Sequence, residues 1–288
     1  MFKNTMKTGV LLAGLGGLIV AVAGLLGGGS SGALTIGLLL AFVMVGGSYW
    51  FSDKLALRSA NARVITEADH PEFYGMVQRL SVRAGLPMPR VALSPSEHPN
   101  AFATGRGPNN AVVCATTGLL TSMPAAEVEA VMAHELMHVK HRDILIGSVA
   151  AAIATAISYV AQMAMFASMF GGGSNDEDRP NPIAVLAMSL LAPIAATLIQ
   201  MAVSRSREYE ADRGAAELLG SGQQLANALE RIEVLAARRP MMVAPAQAQA
   251  YIHNPLAEAH GGRQGESMAR LFSTHPPTAE RIRRLRAL

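Results

Sequence analysis

The pentapeptide His134–Glu135–Leu136–Met137–His138 carries two imidazoles and a carboxylate at a spacing that suits metal chemistry. On a helix, residues four apart lie on one face about one turn from each other, so both histidines can reach one Zn²⁺ at about 2.0–2.1 Å. Glu135 is offset from them by about 100° and can act as general base toward a water and as general acid toward the leaving amine. Zinc lowers the pKa of a water in its open position to about 7 and polarises the carbonyl under attack. The pentapeptide therefore predicts a hydrolytic zinc centre.

The same residues have a simpler interpretation, which is a solvated helix with two histidines and no metal. Ala133, Leu136 and Met137 instead indicate a largely buried helix. Burying imidazoles and a carboxylate is costly unless these groups are paired or bound to a metal. The apolar neighbours therefore favour the metal site.

A hydrolytic zinc also needs a third protein ligand. His141 shares the helix face, but about 10.5 Å of helix rise separates it from His134, so we interpret it as a surface residue. Glu208 and Asp212 lie four apart on a predicted helix. One of them can ligate zinc, and the other can accept a hydrogen bond from the far nitrogen of a ligating histidine. The alternative is a solvated helix of alternating acids and arginines. For Glu210, which points elsewhere on the helical wheel, we expect such a solvated position.

The elements that must position these residues are mostly helical. Hydrophobic periodicity predicts helices over residues 64–90, 122–143, 205–219, 225–237 and 278–288. Short strands are predicted over residues 90–93, 101–104 and 111–115, and we expect them to form a small antiparallel sheet. The helix with the pentapeptide is expected to begin at Ser122 and to continue without a break into an apolar segment after Asp143.

Charge is distributed unevenly along the 288 residues, of which 50% are hydrophobic and only 16% charged. A soluble domain usually has about a quarter charged residues. Residues 10–51, 144–175 and 180–204 contain no Asp, Glu, Lys or Arg. This pattern excludes a disordered protein and a wholly soluble one. It predicts four membrane spans, at about residues 10–26, 32–51, 144–170 and 183–203.

Lysine and arginine border all four predicted spans on the same side, whereas the loop over residues 171–182 holds three acids and one arginine. By the positive-inside rule, both termini and the polar segments 52–143 and 204–288 face the cytosol. The first apolar run lacks a signal-peptidase site and a second run follows it, so we expect a retained anchor. The predicted organisation is a membrane hairpin (1–51), a cytosolic segment (52–143), a second hairpin (144–203) and a second cytosolic segment (204–288).

Two further features exclude other classes of protein. The single cysteine, Cys114, cannot form an intrachain disulfide, which excludes a disulfide-stapled secreted fold. The net charge is +3 with scattered basic residues, so a nucleic-acid partner has no support.

Taken in order, these motifs resemble the HtpX-type membrane metallopeptidases, which are gluzincins related to the CAAX prenyl endopeptidases. The resemblance covers nearly the whole chain. It comprises two apolar segments, the pentapeptide, two more apolar segments, the Ser-Arg-x-x-Glu-Tyr-x-Ala-Asp motif at 204–212, and His275–Pro276–Pro277 followed by Arg281–Ile282. This ordered set is far more specific than H-E-x-x-H alone.

The resemblance implies a role for individual residues. His134, His138 and Glu208 would ligate one Zn²⁺ per chain, Glu135 would be the catalytic acid and base, and Asp212 would orient a ligating histidine. His275 would assist with the substrate or the oxyanion, although it could also belong to a simple turn before two prolines. Asn100, Ala101 and Phe102 resemble the active-site edge strand, to which a peptide adds as an extra strand. Asp143 matches the family pattern without an evident chemical role.

The implied fold is a mainly α membrane protein: four transmembrane helices with an α+β, zincin-like catalytic domain that has a small sheet and is assembled from two sequence segments. The implied function is a zinc endopeptidase of the bacterial inner membrane, active at the cytosolic face in quality control and the stress response. Misfolded membrane proteins and unfolded polypeptides would be its substrates, and the bilayer and other quality-control proteases its partners. The alternatives are an intramembrane protease of regulated proteolysis and an inactive membrane scaffold or holdase.

An active cytosolic site close to its own exposed loops could also cut them. The stretch over residues 240–265, rich in Ala, Gln and Pro, is the loop expected to be cleaved in detergent. We therefore expect metal-dependent self-cleavage of the purified protein.

Overall fold

The computed structural model describes residues 29–145, 205–238 and 276–288, together with scattered residues between Met6 and Gly24. The helices in these ranges are α1 (Ser31–Ser59), α2 (Pro71–Ala84), α3 (Thr117–Ser122), α4 (Ala125–His141), α5 (Arg205–Leu219), α6 (Gln223–Arg238) and α7 (Thr278–Leu285). The strands are β1 (Arg63–Ile65), β2 (Arg90–Ser94), β3 (Ala101–Gly105) and β4 (Ala111–Thr116).

The four strands form one sheet in the order β1-β2-β4-β3. Strands β1 and β3 pair antiparallel with their neighbours, whereas β2 and β4 run parallel with Val91 opposite Val113. The expectation of an antiparallel sheet was therefore wrong, because the β3–β4 hairpin returns β4 to the centre in the direction of β2. Strand β1 overlaps the helix predicted over residues 64–90, because three residues are too few to show alternation.

The sheet is covered on both faces, and all six residues of β4 are buried. One face packs on α2 and α4, where Phe73, Leu80 and Leu136 belong to the main hydrophobic core. The other face carries Cys114, which clusters with Leu57 from the C-terminal part of α1. The Ser94 hydroxyl donates to the Ala60 carbonyl at 2.6 Å and ties the end of α1 to β2. The C-terminal end of α1 is therefore packed on the sheet.

Helix α4 carries the pentapeptide and differs from the expectation at both ends. Ser122 belongs to α3, and α4 begins after Pro124, which provides no side-chain cap. At the other end, Arg142 adopts the left-handed conformation (φ 58°) and the amide of Asp143 donates to the His138 carbonyl at 3.2 Å. The predicted continuous helix past Asp143 was therefore wrong, and the turn brings Asp143 back beside α4.

Helices α5 and α6 pack on α4, and α7 packs on α5 and α6. Gly214 of α5 faces Met137 of α4, where an added Cβ would lie 2.8 Å from the sulfur, so the two helices approach closely. Arg231 of α6 donates to both carboxylate oxygens of Glu127 in α4, at 2.6 and 3.0 Å. These contacts fix the acids of α5 opposite the histidines of α4.

The other predicted helices are present, although the one predicted over residues 64–90 is shorter at both ends. Residues 71–84 form α2, which ends at Gly85 in the left-handed conformation (φ 68°), as the Gly-Leu-Pro sequence indicated. Helix α5 has the predicted bounds, and α6 and α7 differ from the predictions by a few residues.

Among the described residues, no helix taken alone has both the length and the apolar composition to cross a bilayer. Two parts of α1, Leu34–Gly47 and Tyr49–Ser59, meet that requirement together and are bent by 63°. The span predicted at 10–26 is described only at scattered positions, and those at 144–170 and 183–203 lie outside the described residues except for Ile144 and Leu145.

Candidate metal and active site

Three side chains from two helices converge on one point in the core. The Nε2 atoms of His134 and His138 lie 3.1 Å apart. The two oxygens of Glu208 lie 3.6 Å from these nitrogens, one oxygen to each. The three groups can offer ligand atoms that all lie within 4.8 Å of one another. Neighbouring ligands of a tetrahedral Zn²⁺ are about 3.4 Å apart, so this set fits one such ion.

The far nitrogen of each histidine lies beside a carboxylate. His134 Nδ1 is 3.0 Å from Asp212 Oδ1, and His138 Nδ1 is 3.1 Å from Asp143 Oδ2. A carboxylate accepts a hydrogen bond from the protonated nitrogen, which leaves the lone pair on Nε2. Once the rings are neutral, these carboxylates therefore favour the tautomer whose lone pair faces the shared point.

Asp143 is a site residue for which the sequence predicted no chemical role. Helical periodicity could not place it, because it follows the left-handed residue that ends α4. Its position five residues after His138 was the one available signal, and the main chain must reverse there for the carboxylate to reach the ring.

When both imidazoles are neutral, as metal ligands must be, the buried charges around them do not cancel within the described residues. They comprise four carboxylates and two guanidiniums, all at most 7% exposed: Glu135, Asp143, Glu208, Asp212, Arg207 and Arg281. With neutral histidines the acids exceed the arginines by two charges. Uncompensated charge in a protein interior is costly, so the donor set and its charge both suit one divalent cation.

The pKa values reflect these neighbours. Burial alone would lower the pKa of His138, but the carboxylate of Asp143, followed by that of Glu208, raises it to about 10. Burial alone would raise the pKa of Asp212, but the Arg281 guanidinium and the His134 ring hold it well below its usual range. Asp212 is therefore an ionised carboxylate beside His134.

Glu135 is the α4 residue that follows His134, and its side chain is buried at 6% exposure. Its charge contributes to the raised pKa of both His138 and Arg281, which places it beside the cluster. Glu210 is exposed on α5, as the spacing predicted, and His141 is the half-buried last residue of α4.

The edge strand predicted from the resemblance corresponds to β3, which is the outer strand of the sheet beside β4 and lies against α4. The main chain of Asn100 faces β4: its carbonyl accepts from Thr116 N, and its amide donates to Thr116 Oγ1, both at 2.9 Å. Hydrogen bonding alternates along an antiparallel pair. The main-chain groups of Ala101 and Ala103 therefore point away from β4.

Two residues at this site were not predicted, and one predicted residue is outside the described ranges. Arg281 and Arg207 were named only within motifs, and both are buried beside the acids. A buried arginine cannot be recognised from periodicity alone. His275 lies outside the described residues, so its role stays a prediction.

Comparison with known proteins gives the family. Residues 67–288 match the model of peptidase family M48. The chain is 52% identical over 285 residues to "Protease HtpX homolog" of Burkholderia ambifaria (strain MC40-6), covering 98% of this chain and 96% of that protein. It is 51% identical over 285 residues, with the same coverage, to the protein of that name from Burkholderia mallei (strain SAVP1).

A solved structure is similar in fold. The crystal structure of S. mikatae Ste24p aligns with a TM-score of 0.52 at 20% identity, covering 99% of this chain and 66% of that one. At this identity the likeness concerns the fold alone, which combines a small mixed sheet with mostly helices. On the family match and the HtpX homologues, the chain belongs to peptidase family M48 and is a metalloprotease.

Proposed function

We propose that this chain is a membrane-anchored zinc endopeptidase that hydrolyses misfolded or damaged membrane proteins at the cytosolic face of the bacterial inner membrane. One observation carries the proposal. His134 Nε2, His138 Nε2 and the Glu208 carboxylate meet at a single point, while both Nδ1 atoms lie within 3.1 Å of a carboxylate. Two histidines with a purely structural role would not need a carboxylate beside each Nδ1 atom.

His134, His138 and Glu208 would hold the ion. Zinc, when bound, polarises the scissile carbonyl and makes a water more acidic. Glu135 takes the proton of the attacking water and returns it to the leaving amine. Asp212 and Asp143 hold the two imidazole rings in orientation and tautomer. His275 is kept as a further candidate for contact with the substrate.

The substrate would bind as an additional strand along β3. Its main chain would pair with the outward-pointing N–H and C=O groups of Ala101 and Ala103. Such hydrogen bonds do not depend on the side chains of the substrate. Because β3 lies against α4, such a peptide would run beside Glu135. Recognition through main-chain groups supports broad specificity toward unfolded polypeptides.

The apolar surface of α1 supports anchoring in a membrane. Ile36, Phe42 and Val43 are 66%, 80% and 67% exposed, which would be unfavourable in water. Trp50 lies further along the helix, with the Arg106 guanidinium 4.4 Å from its ring centroid. Tryptophan is enriched at membrane interfaces. Since the end of α1 packs on the sheet, the active site would be held close to the bilayer.

The test compares Glu135→Gln with Glu129→Gln, a half-buried glutamate on the same helix. Full-length protein is purified in detergent, and cleavage of an unfolded membrane protein and zinc content are measured together. We expect Glu135→Gln to retain zinc and lose cleavage, and Glu129→Gln to keep both. Cleavage by zinc-loaded Glu135→Gln would contradict the mechanism, and failure of the wild type to bind zinc would contradict the metal assignment.

Topology is tested separately in sealed vesicles. Protease added from the cytosolic side should cut the segment over residues 64–130, and protection of that segment would contradict a cytosolic active site. The same preparation tests the intramembrane alternative, which requires the pentapeptide to be inaccessible from either side.

A further inference from the structure

Arg281 of α7 has the largest side chain among the fully buried residues of the described ranges, with 2% exposure. A guanidinium without water must find its partners within the protein. Arg281 donates through Nε to Asp212 Oδ2 at 2.9 Å and through Nη2 to Asp212 Oδ1 at 2.7 Å. This two-pronged contact fixes the plane of the Asp212 carboxylate.

The third nitrogen of the same guanidinium faces the other acid of α5. Arg281 Nη1 lies 3.7 Å from Glu208 Oε2. That oxygen is 3.6 Å from His134 Nε2, while Asp212 Oδ1 is 3.0 Å from His134 Nδ1. One guanidinium thus contacts the acid at each nitrogen of the same ring.

We infer that Arg281 is a positioning residue for the metal centre, acting through Asp212 on His134 and bearing directly on the orientation of Glu208. The inference rests on the zinc site proposed above. It means that the site requires the last helix of the chain, although α7 supplies no ligand. Ile282 and Leu285 are buried in the main core beside Arg281 and hold α7 in place.

A purely structural role is the competing explanation, in which Arg281 only neutralises Asp212 so that the core can fold. The two explanations differ in what happens to the metal. If Arg281 positions the ligands, its loss weakens metal binding in protein that is still folded. If it only neutralises charge, folded variants bind metal as the parent does.

The experiment uses the full chain in the Glu135→Gln background, where self-cleavage does not interfere. Arg281→Met and Arg281→Lys are compared with Arg283→Met, an exposed residue of the same helix whose side chain is 77% exposed. Zinc affinity is measured by competition with a chelator. The visible absorption of Co²⁺-loaded protein reports the geometry of the ligands, and thermal unfolding reports the fold.

We expect Arg281→Met to lose about 10–100-fold in zinc affinity, the usual cost when a residue that orients a ligand is removed, and to change the Co²⁺ spectrum. Arg283→Met should leave both unchanged. Arg281→Lys keeps the positive charge but cannot make the two-pronged contact with Asp212. It should therefore fold and still bind zinc more weakly than the parent. That variant decides the question if Arg281→Met does not fold, and parent affinity in folded Arg281→Lys would overturn the inference.

A double-mutant cycle with Asp212→Asn tests the proposed route. If Arg281 acts mainly through Asp212, Arg281→Met should cost little further zinc affinity once Asp212 has been replaced. Fully additive losses would overturn the route through Asp212. A parent protein that binds no zinc refutes the proposed function itself, whereas equal binding by parent and variants refutes only the role of Arg281.

Discussion

Asp143 Oδ2 lies 3.1 Å from His138 Nδ1, although the two residues are separated by the end of helix α4. The contact depends on Arg142, whose left-handed conformation turns the chain back toward the helix it has just left. Since Asp212 Oδ1 lies 3.0 Å from His134 Nδ1, each histidine has a carboxylate beside it. The two acids come from different segments, so the metal centre depends on the docking of α5 against α4.

Asp143→Ala removes the acceptor from His138 and should lower zinc affinity by about 10–100-fold. The ring would lose its fixed orientation and its preferred tautomer while all three ligands remain. Asp143→Asn keeps an acceptor oxygen and should lose less. Chelator competition measures both variants, and equal affinity of Asp143→Ala and the parent would show that the contact has no influence on the metal.

Glu208→Gln should abolish zinc-dependent cleavage and strongly weaken zinc binding, because a neutral amide replaces the charged ligand. Glu210→Gln is the matched control, since Glu210 is exposed two residues further along the same helix. Metal content and peptide hydrolysis are measured on both variants. Retention of full zinc content by Glu208→Gln would require another residue as third ligand.

The ligand pair on α4 could be predicted because four-residue spacing is a local property of a helix. Asp212 and Glu208 followed the same rule on α5. The mixed sheet could not be predicted, because the parallel pairing of β2 with β4 depends on where the β3–β4 hairpin docks. Arg281 lies 69 residues from Asp212, and no local pattern links an arginine to an acid at that distance.

The edge strand gives a prediction about substrate binding. Ala103→Pro removes a main-chain donor that points away from β4, and proline is tolerated at such positions of an edge strand. We expect a raised KM for peptide hydrolysis with zinc affinity unchanged. Ala103→Ser is the control, because it alters the side chain and retains the donor. A KM equal to that of the parent would exclude pairing of the substrate at Ala103.

The raised pKa of His138 makes both zinc binding and stability depend on pH. Zinc requires the neutral ring, whereas the Asp143 and Glu208 carboxylates raise the pKa of His138 to about 10 and favour the protonated ring in the metal-free protein. Binding must therefore release this proton, and zinc affinity should rise by about tenfold per pH unit for each proton released. The pKa of His134 is also raised. The slope of the logarithm of zinc affinity against pH should therefore lie between the values for the release of one and two protons.

The stability of the metal-free protein should follow the opposite trend. Because the folded-state pKa of His138 exceeds the usual value of 6.5, the protonated ring stabilises the fold fully below about pH 6.5, and this contribution is lost as the pH rises toward about 10. Chelator competition and thermal unfolding between about pH 6.5 and 8.5 measure the two trends. Asp143→Asn removes the charge that raises the pKa of His138 and should flatten both pH dependences. A zinc affinity that is independent of pH in the parent would show that the ring is already neutral before the metal binds.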